Sequence, residues 1–243
     1  PSSAASDVYK RQGKTTTLNC LGMFIPWHRR LLTVEDTAEL QVYHDHWLRM
    51  ETRRERPDGT PEVDMNDCLK SSLRMRPDRI IVGEVRGPEA ATLLTAMNTG
   101  HDGSFGSLHA NTAQETVTRM INPPMNVPPI MLSGLDLIII QARLHVNGKT
   151  ARKITEVAEI AGMEGDKPRL NVIWKYNAAT DQIEETGIPS KLREIICNAA
   201  GVSPDVFEKH VSQRQAILRD LAQRDIHDIQ TVTQVIQNFY ASR

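Results

Sequence analysis

A short glycine-lysine-threonine stretch, from Gly13 to Asn19, constrains the fold of this chain more than any other feature. Its residue types are those of the second half of a phosphate-binding loop that runs into a helix. The unpaired N–H groups and the positive dipole at a helix N-terminus favour anions. In such a loop Lys14 reaches the terminal phosphates, and the hydroxyl of Thr15 binds Mg²⁺. The stretch therefore predicts a nucleotide-binding helix.

The front of this loop departs from the full motif. The pattern places a glycine five positions before Gly13, where this chain has Val8. Larger side chains occupy positions 9–12, where small residues would let the backbone curl around phosphates. Because a bare glycine-lysine-threonine also begins ordinary helices, the nucleotide-binding interpretation depends on residues further along the chain.

The first twelve residues show no periodicity and are rich in serine and alanine. A phosphate-binding loop normally follows a buried strand, and no strand pattern precedes this one. We expect residues 1–12 to be foreign to the natural protein and a longer N-terminal part to be missing. A natural disordered tail is the alternative.

The composition narrows the class of function. Acidic and basic residues nearly balance, 30 against 29, which argues against a nucleic-acid coat. Three scattered cysteines without a Cys-x-x-Cys pair indicate a reducing compartment and argue against structural zinc. The longest apolar run, Leu137 to Ile140, is far too short for a membrane span, and no signal peptide is visible. We therefore expect a soluble, cytoplasmic protein.

Two apolar runs, residues 30–36 and 79–84, end in carboxylates. Continuous rather than alternating hydrophobicity predicts strands that are buried on both faces of a parallel sheet. Open α/β sheets bind ligands at the C-terminal ends of their strands, where Glu35 and Glu84 should lie. An acid at such a tip holds Mg²⁺, directly or through water, or polarises the attacking water. For the first run, a solvated strand end is the alternative.

Two histidines, His101 and His109, lie in loops rich in glycine and serine after a predicted helix. A lone histidine is more often a surface or core residue than a functional one. Because both histidines are expected near the edge of the sheet that binds the ligand, both are candidates for the site. Residues 136–141 then predict another buried strand.

Taken in order, these motifs resemble those of the type II/type IV secretion ATPases. The matching segments are residues 13–19 for the Walker A motif, 31–40 for the Asp box, 74–87 for the Walker B motif, 99–104 and 107–111 for the His box, and 154–157 and 162–166 for the closing segment. From residue 167 the chain is similar to the archaeal branch, which includes pilus-assembly and archaellum-motor ATPases. There a hairpin, residues 169–176 and 182–185, leads into a helical tail.

The resemblance implies an α/β fold: a RecA-like P-loop NTPase core with a mostly parallel sheet over residues 13–166. A β-hairpin and a helical C-terminal region would follow over residues 167–243. It also implies a homo-hexameric ring that uses ATP and Mg²⁺ to power protein secretion or filament assembly. Such a ring works in the cytoplasm against an inner-membrane platform protein, without a transmembrane segment of its own and without nucleic acid.

The resemblance further implies roles for individual residues. The implied ATP-binding residues are Gly13, Lys14, Thr15, Thr16, Glu39 and His101. The implied catalytic residues are Glu35, Glu84 and His109, and the Mg²⁺ ligands are Thr15 and Glu84. Glu35 is the candidate general base and Glu39 the weaker choice, while His109 would sense the phosphate, with His101 second. The candidates for arginines that act across the ring are Arg30, Arg49 and Arg53.

Two alternatives stay open. A RecA-like nucleic-acid motor is disfavoured by the absence of a basic stripe and by an aromatic content of 5%. A hydrolysis-deficient scaffold subunit is favoured by the incomplete loop and opposed by the retention of Glu35, Glu84 and His109. Each lost phosphate donor is worth roughly 1.5–3 kcal/mol. We therefore expect this chain to be a weak ATPase.

Overall fold

The computed structural model describes residues 12–146, 148–165 and 167–241. Apart from Gln12, the segment expected to be foreign or disordered lies outside the described residues. The helices are α1 (Lys14–Gly22), α2 (Met65–Leu73), α3 (Glu89–Asn98), α4 (Ala113–Ile121), α5 (Lys191–Ala200), α6 (Pro204–Gln223) and α7 (Ile229–Ala241), with a 3-10 helix at Pro129–Gly134. The strands are β1 (Leu31–Glu35), β2 (Trp47–Glu51), β3 (Arg79–Val82), β4 (Phe105–Gly106), β5 (Leu137–Val146), β6 (Lys149–Glu164), β7 (Lys167–Asn177) and β8 (Gln182–Glu185).

The first four strands form a parallel sheet in the order β2-β1-β3-β4. β1 pairs with β2 on one side and with β3 on the other, so that Leu32 lies beside Leu48 and Ile80. All residues of β1 are buried, as expected of a strand covered on both faces. This confirms the predicted parallel sheet and places the C-terminal ends of β1, β3 and β4 along one edge.

Helices cover both faces of the parallel sheet. On one face Leu32 and Val34 pack into a cluster with residues of α2, α3 and α4. On the other face Leu31 and Ile81 pack with Leu18 of α1. Successive side chains of a strand point to opposite faces, so β1 contributes to both clusters in turn. The two clusters hold the strand ends, and the side chains on them, in fixed positions.

A second sheet is antiparallel, in the order β5-β6-β7-β8. It corrects the prediction that residues 136–141 form a strand buried on both faces. In β5, Ile138 and Ile140 are buried, whereas Leu137 and Ile139 are 36% and 39% exposed. The run is continuous in sequence only because apolar residues occupy both faces of a half-buried strand.

The hairpin predicted within the C-terminal part is confirmed as β7 and β8. It belongs to a larger sheet, because β6 and β7 pair antiparallel, with Glu164 opposite Lys167. The sheet thus continues across the predicted domain boundary at residues 166 and 167, and that boundary remains a prediction.

A pair of aspartates begins the second helix. α2 is capped by Asp64, whose carboxylate accepts the N–H of Asp67 at 2.8 Å, and the Asp67 carboxylate accepts the N–H of Asp64. The reciprocal pair is a capping box built from two aspartates.

A buried carboxylate joins α5 to the antiparallel sheet. Glu159 of β6 is 2% exposed and accepts the N–H of Lys191 at 2.7 Å. Its other oxygen accepts the hydroxyl of Ser190, which is the N-cap of the same helix. The negative charge lies at the positive end of the α5 dipole, which stabilises both.

The last helix, α7, is joined to the segment that follows α1. The buried side chain of Gln237 donates to the carbonyls of Met23 and Ile25, each at 2.9 Å. Its carbonyl oxygen accepts the N–H of Trp27 at 3.3 Å. One side chain therefore satisfies three backbone groups just beyond the phosphate-loop helix.

Across the residues that the structure describes, no helix combines the length and the apolar character needed to cross a membrane.

Candidate active site

A cleft of about 1150 Å³ opens at the C-terminal edge of the parallel sheet. Its walls include the first turn of α1 and residues that end or follow β1, β3 and β4. Parallel α/β sheets bind ligands at this edge. The cleft brings together Lys14, Glu35, Glu84 and His109, which lie far apart in sequence.

The first turn of α1 faces the cleft. Gly13 precedes the helix with φ of 90°, and its carbonyl accepts the Thr17 N–H at 3.0 Å. The N–H groups of Lys14, Thr15 and Thr16 therefore occupy the positions that have no acceptor within a helix. Together with the helix dipole they form an anion-attracting end.

A chain of side chains crosses the cleft from α1 to the loop after β3. Lys14 Nζ lies 2.9 Å from Nδ1 of His109 and donates to the carbonyl of Leu108 at 3.2 Å. Nε2 of the same ring lies 2.7 Å from Oε1 of Glu84. The other carboxylate oxygen of Glu84 pairs with Arg86 at 2.5 Å. Lys14, His109, Glu84 and Arg86 thus form one continuous chain of polar contacts.

The ionisation of this unit follows from burial and from its neighbouring charges. Burial lowers the pKa of Lys14, and Glu84 opposes the shift. Burial also lowers the pKa of His109, and the positive charge of Lys14 lowers it further. Burial acts to raise the pKa of Glu84, but the hydrogen bond and charge of Arg86, together with the charge of Lys14, act to lower it, and that pKa is lowered overall. Glu84 is thus held as a carboxylate beside a neutral imidazole.

The two candidate bases have different surroundings. Glu35 is 3% exposed, and its Oε1 accepts the N–H groups of Glu39 and Leu40 at 2.9 and 2.8 Å. Its Oε2 lies 3.6 Å from Nε of Arg49. Glu39 is exposed, and its carboxylate accepts the hydroxyl of Thr15 at 3.3 Å. Glu35 therefore holds the turn that carries Glu39, and Glu39 is the one that touches the phosphate-loop helix.

His101 is not brought to the cleft. Its Nδ1 lies 2.8 Å from the carbonyl of Pro77, and its backbone N–H bonds to Ala96. It precedes β4, so it lies at the N-terminal edge of the parallel sheet, whereas His109 follows β4 at the C-terminal edge. Among the described residues, no hydrogen bond or ion pair joins His101 to Lys14 or Glu84.

The candidate trans-acting arginines contact groups of their own chain. The guanidinium of Arg49 lies over the ring of Trp47 as well as beside Glu35. Arg53 donates to the carbonyl of Pro61 at 3.2 Å. The backbone N–H of Arg30 donates to Asp78. A role for any of them across a ring remains a prediction.

Several cleft residues lie outside the set of site residues that the sequence predicted, among them Arg86, Gln141 and Arg152. Arg86 also pairs with Asp36 at 3.5 Å. Its position two residues after Glu84, in the segment that resembles the Walker B motif, is a signal by which the sequence could have identified it. Gln141 and Arg152 come from the antiparallel sheet, and no local pattern marks them.

No cluster of three or more histidine, cysteine, aspartate or glutamate side chains suited to a metal occurs in the described part of the chain. Mg²⁺ in nucleotide sites is usually held by one or two protein oxygens, water and the phosphates themselves. The Thr15 hydroxyl and the carboxylates of Glu39 and Glu84, all in one cleft, are oxygen donors of that kind.

Comparison with known proteins places these features in context. A family model described as "Type II/IV secretion system protein" matches residues 12–235. An uncharacterised protein of Methanocaldococcus jannaschii is 36% identical over 211 residues, which cover 86% of this chain and 77% of that protein. The conjugal transfer protein TrbB of Rhizobium radiobacter is 37% identical over 158 residues, which cover 62% of this chain and 46% of that protein.

Among solved structures, the VirB11 ATPase of the Brucella suis type IV secretion system, in complex with sulphate, is similar to this chain. The two are 31% identical with a TM-score of 0.50, and the match covers 61% of this chain and 45% of that protein. The chain thus spans less than half the length of TrbB and of this ATPase.

Proposed function

The chain belongs to the family of type II/IV secretion system proteins, and on that premise we propose that it is the catalytic part of an ATPase that powers protein secretion or pilus-type or archaellum-type filament assembly. The observation that carries the proposal is the unit formed by Lys14, His109 and Glu84 in front of a helix N-terminus. Phosphoryl transfer depends on positioning and on neutralising charge, which is what such a unit supplies.

The cleft fits a nucleoside triphosphate. Its volume of about 1150 Å³ exceeds what a nucleotide occupies, and it joins Lys14 to the N–H groups of the first helical turn. Lys14 would bind the terminal phosphates, while the amides of Thr15 and Thr16 would contact the inner ones. Mg²⁺, held by Thr15 with Glu84 directly or through water, would neutralise charge on the phosphates.

The remaining residues of the cleft have either a structural or a catalytic role in the proposed reaction. Glu39 is the proposed general base, because its carboxylate is exposed in the cleft beside Thr15, whereas Glu35 is buried and bonded to the backbone. His109 would respond to the terminal phosphate, since its Nδ1 lies 2.9 Å from the Lys14 amine that would bind that phosphate. Arg86 keeps Glu84 charged.

Beyond the single chain, we propose a homo-hexameric ring that docks on an inner-membrane platform protein from the cytoplasmic side. The support is the family membership and the order of the Walker A, Asp box, Walker B and His box segments along the chain. The near balance of charge and the low aromatic content favour a protein partner over nucleic acid.

A hydrolysis-deficient scaffold is the second candidate. Val8 stands where the motif has glycine, and this favours weak hydrolysis by this chain. The scaffold role predicts ring assembly that needs no nucleotide turnover. The intact Lys14–His109–Glu84 unit favours the ATPase instead.

The test is Mg²⁺-dependent phosphate release by the chain, compared with Glu84→Gln and with Lys70→Ala as a surface control. An ATPase predicts measurable release that Glu84→Gln removes and that Lys70→Ala leaves within twofold. Release that is absent, or equal in all three proteins, would leave the scaffold as the function.

A further inference from the structure

Two residues of the antiparallel sheet form part of the wall of the cleft. Gln141 of β5 and Arg152 of β6 both line it, beside the first turn of α1. The side-chain oxygen of Gln141 accepts the hydroxyl of Thr17 at 2.7 Å. This bond fixes the edge of the second sheet against the phosphate-loop helix.

Arg152 lies directly against Gly13. A β-carbon placed on Gly13 would meet Arg152 Cδ at 2.9 Å and the Gln141 amide nitrogen at 2.9 Å. Nε of Arg152 would lie 3.8 Å from that position. Because Gly13 has no side chain, it adopts φ of 90° without strain. The absence of a β-carbon also lets Arg152 approach the backbone at Gly13.

The same face of the sheet carries a second arginine. Arg143 of β5 lies opposite Arg152 in the strand register, so both side chains project from one face. Both residues are exposed, but of the two only Arg152 lines the cleft, so Arg143 is a matched arginine outside it.

We propose that Arg152 binds the phosphate chain of the nucleotide from the side of Gly13, with Gln141 as the positioning residue that holds the antiparallel sheet against α1. The inference rests on the proposed function, because it names a further contact in the same site. A guanidinium offers a planar fork of donors that matches phosphate oxygens, which a lysine cannot reproduce. Arg152 would thus supply a further cation from β6, outside the Walker A, Asp box, Walker B and His box segments.

The experiment compares Arg152→Met with Arg143→Met in the full chain. Methionine keeps the unbranched stem that packs on Gly13 and removes only the charged head. The readout is displacement of a fluorescent ATP analogue by ATP, ADP and AMP, each with Mg²⁺. Arg152→Met should weaken ATP binding by about tenfold or more, as expected for one lost charged hydrogen bond. Arg143→Met should stay within twofold.

The loss should also shrink from ATP to ADP to AMP, since fewer phosphates remain to be contacted. A loss of equal size for all three nucleotides would indicate packing alone and would overturn the inference. So would ATP affinity in Arg152→Met equal to that in Arg143→Met, and the proposed ATPase would survive that result. If the unaltered chain binds no nucleotide, both the inference and the proposed function fail.

Thermal unfolding shows whether Arg152→Met is folded. If it is not, Arg152→Lys against Arg143→Lys carries the test, because lysine keeps the charge and the stem. We then expect ATP affinity to fall by roughly threefold, as the fork is lost and the charge retained. Equal ATP affinity in the two lysine variants would overturn the inference.

Discussion

Lys14 Nζ lies 2.9 Å from Nδ1 of His109. An ammonium group has no acceptor, so this contact requires that Nδ1 carries no proton. The ring proton then belongs on Nε2, which lies 2.7 Å from Oε1 of Glu84. The contact with Lys14 thus selects one tautomer of a neutral His109, with its N–H on the side of the Glu84 carboxylate.

Removing this ring should separate the roles of the two histidines. We expect His109→Ala to lower kcat for ATP hydrolysis by about tenfold to a hundredfold, the effect of one lost charge-assisted hydrogen bond. His101→Ala is the matched control and should stay within twofold, because His101 bonds to Pro77 outside the cleft. Steady-state phosphate release measures both. Equal losses in the two variants would contradict this placement of the site.

The neutral state of His109 predicts a pH dependence. Burial and the Lys14 charge lower its pKa below the ordinary 6.5, with Glu84 opposing. The folded protein therefore binds this proton less readily than the unfolded chain does. The stability from the neutral ring is present above about pH 6.5 and is lost as pH falls towards the folded pKa. An NMR titration of the ring nitrogens measures the shift, and a pKa above 6.5 would contradict it.

Substitution of Glu35 should lower the stability of the fold, whereas substitution of Glu39 should lower the rate of phosphate release. Glu35→Ala leaves the N–H groups of Glu39 and Leu40 without their side-chain acceptor, and we expect a loss of about 2–4 kcal/mol in the free energy of unfolding. Glu39→Gln should leave that free energy within about 0.5 kcal/mol, as an exposed substitution does, while phosphate release falls. Urea unfolding and a turnover assay distinguish them. A stable but inactive Glu35→Ala would return the base role to Glu35.

The bond between α7 and the end of α1 predicts a stability effect far from the cleft. Gln237→Ala removes the partners of Met23, Ile25 and Trp27, and should cost about 2–4 kcal/mol of unfolding free energy. Gln234→Ala, at an exposed position of the same helix, is the control and should be nearly neutral. Equal unfolding curves for the two variants would show that the Gln237 bonds do not stabilise the fold.

Much of the parallel sheet could be predicted from the sequence, for a physical reason. Strands covered on both faces need continuous apolar runs, so β1 and β3, with the carboxylates beyond them, were visible in the pattern. The same rule misread residues 137–140, because a half-buried strand can also carry apolar residues on its exposed face. A short apolar run does not state which sheet it joins.

The parts of the site that escaped prediction depend on contacts distant in sequence. His101 and His109 have similar loop surroundings, and β4, which separates them, is only two residues long. Arg152 reaches Gly13 from a strand more than a hundred residues away, through a sheet whose pairing no local motif encodes. Motifs locate groups that one loop or strand presents, whereas a wall built by a second sheet becomes visible only in the folded chain.

We propose that the cleft at Lys14 binds the phosphates of ATP. Equilibrium binding of a fluorescent ATP analogue with Mg²⁺, to the chain and to Lys14→Met, measures this. We expect saturable binding that unlabelled ATP reverses and that Lys14→Met weakens by about tenfold or more. Saturable binding that is the same in Lys14→Met, or no saturable binding by either protein, would contradict it.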